Sequence, residues 1–333
     1  MRSTQPTMVD VARQAGVAPI TVSRVLNGYE FVKPDTRDKV LEAVEVLGYR
    51  PNLAARALVT NKTRALGVLV ADAFGHGPVA ALWAIESAAR DAGYAVTVVS
   101  QRDDDYDAIV SGLHRLAAQG VDGIVMIAPQ RASEKAVFDS IDAVPIVMLS
   151  AYDTGDHRPV ILDSVLGSRL AVDHLIGLGH DVIAHLSGPR GWAASDARER
   201  GWREQILVHG RDPGPRFAGD WTADSGYRVG MVELPRYPDV TAVYAASDAM
   251  AQGLLLALHD LGRRVPDDIS VVGFDDVPEA AYFIPPLTTV RQDFDVLGRR
   301  CIAAVIELIE GNPALDFEPL APTLILRGST ARR

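Results

Sequence analysis

The chain has 333 residues, is 48% hydrophobic and 23% charged, and carries a formal net charge of −10 with a single cysteine. That length exceeds one small domain, a lone Cys301 excludes an internal disulfide framework, and no run of about 18 apolar residues offers a transmembrane span. No apolar h-region marks the N-terminus, so no secretory leader is expected and the cytoplasm is the expected location.

The acidity is unevenly spread. Residues 1–64 hold ten Lys/Arg and six Asp/Glu, a local charge of +4 that leaves −14 on residues 65–333. A basic head on an acidic body fits a head that meets a polyanion and a body repelled by it.

Within the head, TMVDVARQAGVAPITVSRVLNG (7–28) fits two short helices joined by a tight turn. Thr7 and Asp10 have capping-box spacing, and Met8, Val11, Ala12 and Ala15 recur at helical intervals. Gly16 can stop the helix with positive φ, and Pro19 opens the next one at N1. Val22 and Val25 then face inward, with Pro19, Ile20, Arg24 and Asn27 facing outward. This is the layout of a helix-turn-helix whose second helix can lie in a major groove, although an ordinary helical hairpin shares the spacing. A third helix is expected to start at Asp35–Thr36, with Val40, Leu41, Val44 and Leu47 as its stripe and Gly48 as its stop. Pro51 blocks its continuation, and Asn52 can cap a short Ala-rich helix that is marginal in isolation.

Beyond a linker around 61–64, Val/Ile-rich runs alternate with helical stretches. Strands are expected at 65–70, 95–100, 123–128 and 145–150, and in a second series at 160–163, 182–187, 242–247 and 269–274. Helices are expected at 80–92, 107–119, 164–178, 196–209 and 246–261, and Cys301 falls in a further apolar helix, where it should be buried and inert. Continuous apolar strands alternating with helices imply parallel sheets covered on both faces, and two series imply two doubly wound lobes. Ligand chemistry is then expected beyond the carboxyl ends of the strands.

No phosphate-loop or nucleophile-elbow motif occurs, so no catalytic residue set and no cofactor are expected. His174, His180 and His185 come nearest to a metal spacing, yet His180 follows Gly179 at a helix end, where a capping side chain is expected anyway, and no metal site is assigned. Several polar or aromatic groups do fall at strand ends or loops: Arg198, Trp221, Ser247, Asp248, Asp275 and Asp276. Carboxylates accept from adjacent hydroxyls, a guanidinium donates two bonds, and an indole stacks on a pyranose, so the set suits a polyhydroxylated ligand. Packing for Trp221, a turn cap for Asp276 and a helix cap for Asp248 are the plainer alternatives.

TMVDVARQAGV, TVSRVLNG and GYRPNLAARAL, followed by HLIGLGH (174–180), ISVVGFDD (269–276) and IPPLTTVRQDF (284–294), resemble the lactose/galactose repressor (LacI/GalR) family of bacterial transcriptional regulators in order and spacing. The resemblance covers nearly the whole chain. It implies an α/β protein with an all-α helix-turn-helix headpiece (1–50), a hinge helix and linker (51–64), and a two-lobed periplasmic-binding-protein-like body (65–333). Lobe one would span about 65–162 and 291–322, and lobe two about 163–290 and 323–333, with chain crossings near 162, 290 and 322.

The same resemblance places Thr7, Thr21, Ser23 and Asn27 at phosphate contacts, which fix register without reading sequence. Arg24 is expected to read a guanine edge, while Pro19 and Ile20 allow only apolar contacts such as a thymine methyl. Ala18 stands where the family usually has a serine cap. Asn52 belongs to the hinge helix, Ala55 would let two hinge helices approach closely, and paired Leu58 side chains would wedge into the minor groove. In the body, Arg198, Trp221, Asp275 and Gln292 match ligand-contacting positions, and Ser247 replaces an asparagine. Ile127 and Ser150 stand where the resemblance has an asparagine and an aspartate, so one end of the ligand meets a less polar wall. A sugar or glycoside other than a galactoside is expected, and a purine is less favoured. The implied mechanism is a homodimer without a tetramerising tail, holding a pseudo-palindromic operator in double-stranded DNA and released by an inducer. The alternatives are a corepressor of the same regulator, or, from other classes, a sugar-binding module without DNA function or an enzyme of sugar metabolism.

Overall fold

The structure, a computed structural model, describes residues 6–26, 29, 31–49, 62–71, 75–101, 106–127, 144–151 and 159–333. The chain divides into two compact units, Met1–Thr63 and Arg64–Arg333.

The first unit holds three helices: α1 (Met8–Ala15), α2 (Pro19–Leu26) and α3 (Pro34–Leu47). Thr7 caps α1 in a capping box with Asp10, and Gly16 ends it at φ 65°. Accepting hydrogen bonds from the Thr7 hydroxyl and N–H holds the Asp10 carboxyl below its ordinary range. Val11, Ala12, Val22, Val25, Val40, Ala43 and Tyr49 form the core. Two expectations for α3 are corrected. It starts at Pro34 after an uncapped Lys33, and Ala43 takes the buried place expected for Leu41, which is 48% exposed. At about 100° per residue, position 41 has already turned away from the face defined by 40, 43, 44 and 47. Ala18 precedes α2 with its carbonyl accepting from Thr21 and Val22. Ala18→Ser should add a side-chain cap and raise headpiece stability by about 1 kcal/mol, measured by thermal unfolding. No gain would show that Pro19 already supplies the start.

The second unit contains two sheets. The first has strand order β2-β1-β3-β4-β5, all parallel, from β1 (Ala65–Ala71), β2 (Ala95–Gln101), β3 (Gly123–Ile127), β4 (Ile146–Ser150) and β5 (Val160–Ile161). The second has order β11-β10-β9-β8-β6-β7, from β6 (Ile183–Ser187), β7 (Arg216–Ala218), β8 (Ala242–Ala245), β9 (Ser270–Asp275), β10 (Thr288–Arg291) and β11 (Thr323–Ile325); only the β10–β11 pair is antiparallel. Alternation along the strands sends side chains to both faces. Leu66, Val68 and Val70 pack with α4 (His76–Asp91) and α10 (Phe294–Ile309), while Leu69 packs with α5 (Tyr106–Ala118). In the second sheet α6 (Ser164–Gly177) and α7 (Ala193–Val208) cover one face, and α8 (Ala223–Arg228) and α9 (Asp248–Asp260) lie on the other.

The chain passes between the sheets three times: after β5, between β10 and α10, and before β11, where Leu162 bridges Leu320. The expected strand 160–163 is therefore shorter, because Asp163 instead caps α6 by accepting from Leu166 N–H at 2.9 Å. Helices expected at 80 and 196 begin earlier, at His76 and Ala193. Cys301 is fully buried between α10 and the first sheet, which pushes its thiol up to about 12. Among the described residues no helix is long and apolar enough to cross a membrane.

Candidate functional site

In the first unit, Pro19 and Ile20 open α2 exposed to solvent, Ile20 at 60%, and Arg24 is exposed one turn further on. Thr21 and Ser23 are half-buried beside them. Thr7 is exposed, and its hydroxyl donates to Asp10 at 2.7 Å. Asn27, Asn52, Ala55 and Leu58 lie outside the described residues.

In the second unit a cleft with about 930 Å³ of empty space, solvent at its mouth included, opens beyond the carboxyl ends of the parallel strands. Ile127 ends β3, Ser150 ends β4, Ser247 follows β8, Asp275 ends β9 and Gln292 follows β10; all five line it, with Arg198 from α7 and Trp221 from the loop before α8. Seven of the eight residues expected at the ligand are thus brought together.

Arg198 is the organising side chain. It is 6% exposed, donates to the Ala246 carbonyl through Nη1 and to Asp275 Oδ1 through Nη2 at 3.2 Å. Its guanidinium lies 3.8 Å from the Phe274 ring centroid and 5.6 Å from that of Trp221. Burial pushes the Asp275 carboxyl up, and the Arg198 charge opposes that shift. Two buried donors, Arg198 Nε and Trp221 Nε1, have no hydrogen-bond partner among the described residues. A hydroxylated ligand could accept from both. Trp221 at φ 72° and Asp275 at φ 115° also hold backbone conformations that cost L-residues energy, as functional loops often do.

Asp248 is the exception. It is fully buried behind the cleft, accepting from Thr289 Oγ1 at 2.5 Å and Val277 N–H at 2.9 Å, while Ser247 caps α9 instead. Burial, reinforced by the Asp275 charge, pushes Asp248 up to about 8. Its two hydrogen bonds tie β10 and the loop after β9 to the start of α9, a bracket rather than a ligand contact. Asp276 is likewise taken up, by ion pairs of 2.5 Å to both Arg291 and Arg327.

The three histidines with metal-like spacing diverge. His174 meets Thr330, His180 meets Thr241, Ser270 and Ala331, and His185 is stacked between Trp202 and Tyr244. The first two pin the C-terminal segment to the second lobe.

Sequence reasoning missed His76, Trp192 and Phe294, which also line the cleft. Trp192 lies 5.8 Å from Trp221, and Phe294 meets His76 edge-on at 5.9 Å. Trp192 follows a Gly/Pro loop after β6, so the search of strand ends and loops that singled out Trp221 could have found it. Gly188 was missed as well: a Cβ there would overlap the Trp221 indole. Gly188→Ala should displace that ring and weaken binding of a ligand in the cleft about tenfold or more while leaving the first unit unchanged. Titration calorimetry with an unchanged Kd would show that the indole does not contact the ligand.

Residues 7–52 match the model described as bacterial regulatory proteins, lacI family, and residues 172–330 match that of the periplasmic binding protein-like domain. The chain is 35% identical over 325 residues to the lactose operon repressor of Escherichia coli (strain K12), covering 97% of this chain and 90% of that protein. It superimposes on a lac repressor dimer bound to operator and the anti-inducer ONPF with a TM-score of 0.88 at 34% identity, covering 98% of this chain and 100% of the other. A complex of the transcriptional regulator CelR with cellobiose is also similar, with a TM-score of 0.73, 32% identity and coverage of 97% and 99%.

Proposed function

This chain belongs to the lacI family of bacterial regulatory proteins, DNA-binding transcriptional repressors controlled by small effectors, and we propose that its own effector is a glycoside with a polar sugar end and an apolar aglycone. The observation that carries this reading is the asymmetry of the cleft. Arg198, Ser247, Asp275 and Gln292 supply polar groups from the second-sheet elements and the segment after β10, whereas Pro78, Ile127, Leu149, Leu162 and Phe294 make the rest of the lining largely apolar, with His76 and Ser150 as its polar side chains. Sugar hydroxyls would accept from Arg198 Nε and Trp221 Nε1 and donate to Asp275, with the two indoles along the ring. An apolar aglycone would cover Pro78, Ile127, Leu149, Leu162 and Phe294, beside which only Ser150 and His76 offer polar groups. We read the cleft as binding and not catalytic, because Arg198 and Asp275 are committed to each other.

The DNA-reading residues are the exposed row Pro19, Ile20 and Arg24, with Thr7, Thr21, Ser23 and Asn27 on phosphates and Asn52, Ala55 and Leu58 in the hinge. The relative solved with operator is a dimer, and the same assembly on a pseudo-palindromic operator suits one basic headpiece per half-site. Lobes of about 65–162 with 291–322, and 163–290 with 323–333, would close on the effector around the three crossings. A coupling of about 1–3 kcal/mol, roughly 5–150-fold in operator affinity, suffices for control.

The test is anisotropy of a labelled duplex from the protein's own upstream region against a scrambled duplex, with free sugars and their alkyl and aryl glycosides added. About 10³-fold preference for the native duplex, released by a glycoside more readily than by its free sugar, is the expected result. Tightening would make the ligand a corepressor. Release by the free sugar alone would refute the aglycone wall, and equal weak binding of both duplexes would refute the DNA reading for that region.

A further inference from the structure

Tyr29 and Phe31 follow the DNA-reading helix, and neither joins the headpiece core. Tyr29 is 49% exposed and Phe31 86% exposed. Their arrangement is nevertheless held from both sides. The Tyr29 N–H donates to the Arg24 carbonyl at 2.9 Å, and Arg37 Nη2 donates to the Tyr29 carbonyl at 2.8 Å. One bond ties the residue to α2 and the other to α3. The ring then sits with the Arg24 guanidinium carbon 5.5 Å from its centroid, and Phe31 stands edge-on to it at 5.7 Å and 63°.

From this geometry we propose that Tyr29, backed by Phe31, is a positioning residue that holds the Arg24 guanidinium ready for base reading, and that the aromatic pair packs on the deoxyribose backbone beside that base. The first half rests on the reading of Arg24 as a base contact. A long exposed arginine samples many rotamers, and each one lost on binding opposes the complex. A guanidinium attracted to a tyrosine face in the free protein has fewer left to lose, and its planar fork stays open at the edge for two parallel hydrogen bonds. The occupant of the aromatic surface is duplex DNA because the surface continues the exposed row of α2, carries Arg24 and Arg37, and sits on the +4 segment of an otherwise acidic chain. Deoxyribose presents C–H groups that an aromatic face can cover without disturbing the phosphate contacts.

The experiment uses the full chain and a duplex enriched by the wild-type protein from a randomised pool, with every single-base-pair variant of it and a scrambled duplex, over a salt series. Arg24→Ala should flatten the preference at one base pair per half-site. Tyr29→Ala should reduce that same preference about tenfold with an unchanged salt slope, since no charge is lost, and Tyr29→Phe should restore it. Phe31→Ala should weaken enriched and scrambled duplexes alike, because backbone packing carries no sequence information. If Arg24→Ala flattens the preference and Tyr29→Ala does not, the positioning role is wrong while the base reading stands. If Arg24→Ala changes nothing, the base reading itself is wrong. Tighter binding by Tyr29→Ala would mean that the ring holds the guanidinium away from DNA, which overturns the proposal. Unchanged binding by Phe31→Ala would remove the backbone contact. Should Tyr29→Ala unfold the headpiece by circular dichroism, Tyr29→Leu keeps the apolar bulk without the π face and decides the same question.

Discussion

Replacing Arg198 by alanine is expected to abolish the effector response, raising the concentration needed for operator release about 100-fold or more, while operator affinity without effector stays the same. The guanidinium binds Asp275 at 3.2 Å, braces the Ala246 carbonyl and lines the cleft with its Nε unpartnered among the described residues. Its removal leaves Asp275, 7% exposed, as a buried carboxylate without its cation. Breaking a buried pair in this way costs about 3 kcal/mol of stability, so the melting temperature should fall by roughly 6–12 °C in a body of this size. The double variant Arg198→Ala/Asp275→Asn separates the two effects. It should recover much of the stability, because no charge is stranded, but not the effector response, because the guanidinium donors and the carboxylate acceptor are gone and the remaining amide replaces neither. A single variant still released by the same glycoside at the same concentration would sink the cleft assignment.

Acid sensitivity carries the second large effect, and it belongs to His185. The imidazole is stacked between Trp202 and Tyr244, with Nδ1 bonded to the Tyr244 carbonyl at 3.0 Å. Burial, first of all, holds its pKa down at about 3, with the Arg216 and Arg198 charges acting in the same sense. An unfolded histidine titrates near 6.5. The stability it contributes is therefore present above pH 6.5 and is lost as pH falls toward about 3, at about 1.4 kcal/mol per unit. Asp248 runs the other way: its folded value near 8 lies above the unfolded 3.8. Its contribution is present below pH 3.8 and is lost as pH rises toward 8. Between about pH 4 and 6.5 the two slopes oppose each other and largely cancel; above 6.5 only that of Asp248 remains. In urea melts from pH 4 to 8, the stability gap between wild type and His185→Gln should change by about 1.4 kcal/mol per unit below 6.5 and stay flat above it. A gap independent of pH would show that His185 is not held neutral.

Which parts of this molecule were legible beforehand follows from how local each determinant is. The capping box at Thr7–Asp10, the stop at Gly16 and proline at the start of α2 act within one helical turn, so a linear reading captures them. The strands β1, β3, β4, β6, β8 and β9 stand out as apolar runs because strands buried on both faces need an apolar side chain at nearly every position. Strand ends and loops then point to the cleft, which is how Trp221, Ser247 and Asp275 could be selected, whereas Ser150 and Gln292 came only from the family resemblance.

Other features depend on distant chain segments. β7, β10 and β11 are three or four residues long, too short for periodicity to reveal, and they exist because neighbouring strands supply hydrogen-bond partners. Asp248 and Asp275 both follow an apolar run. Only the closed fold places one against Thr289 and the Val277 N–H and the other against Arg198. Gly188 needs a Trp221 that lies 33 positions away before its missing Cβ means anything, and His185 needs two aromatic rings from other elements before its neutrality is enforced. The caps at Thr7 and Gly16, most of the buried strands and the charge division between head and body were readable along the chain, since propensity, periodicity and net charge are properties of neighbours in sequence. The burial of Asp248 behind the cleft, the pairing of Asp275 with Arg198 and the locking of His174, His180 and His185 come from the tertiary structure, because desolvation and pairing energies depend on what the fold brings within a few ångströms.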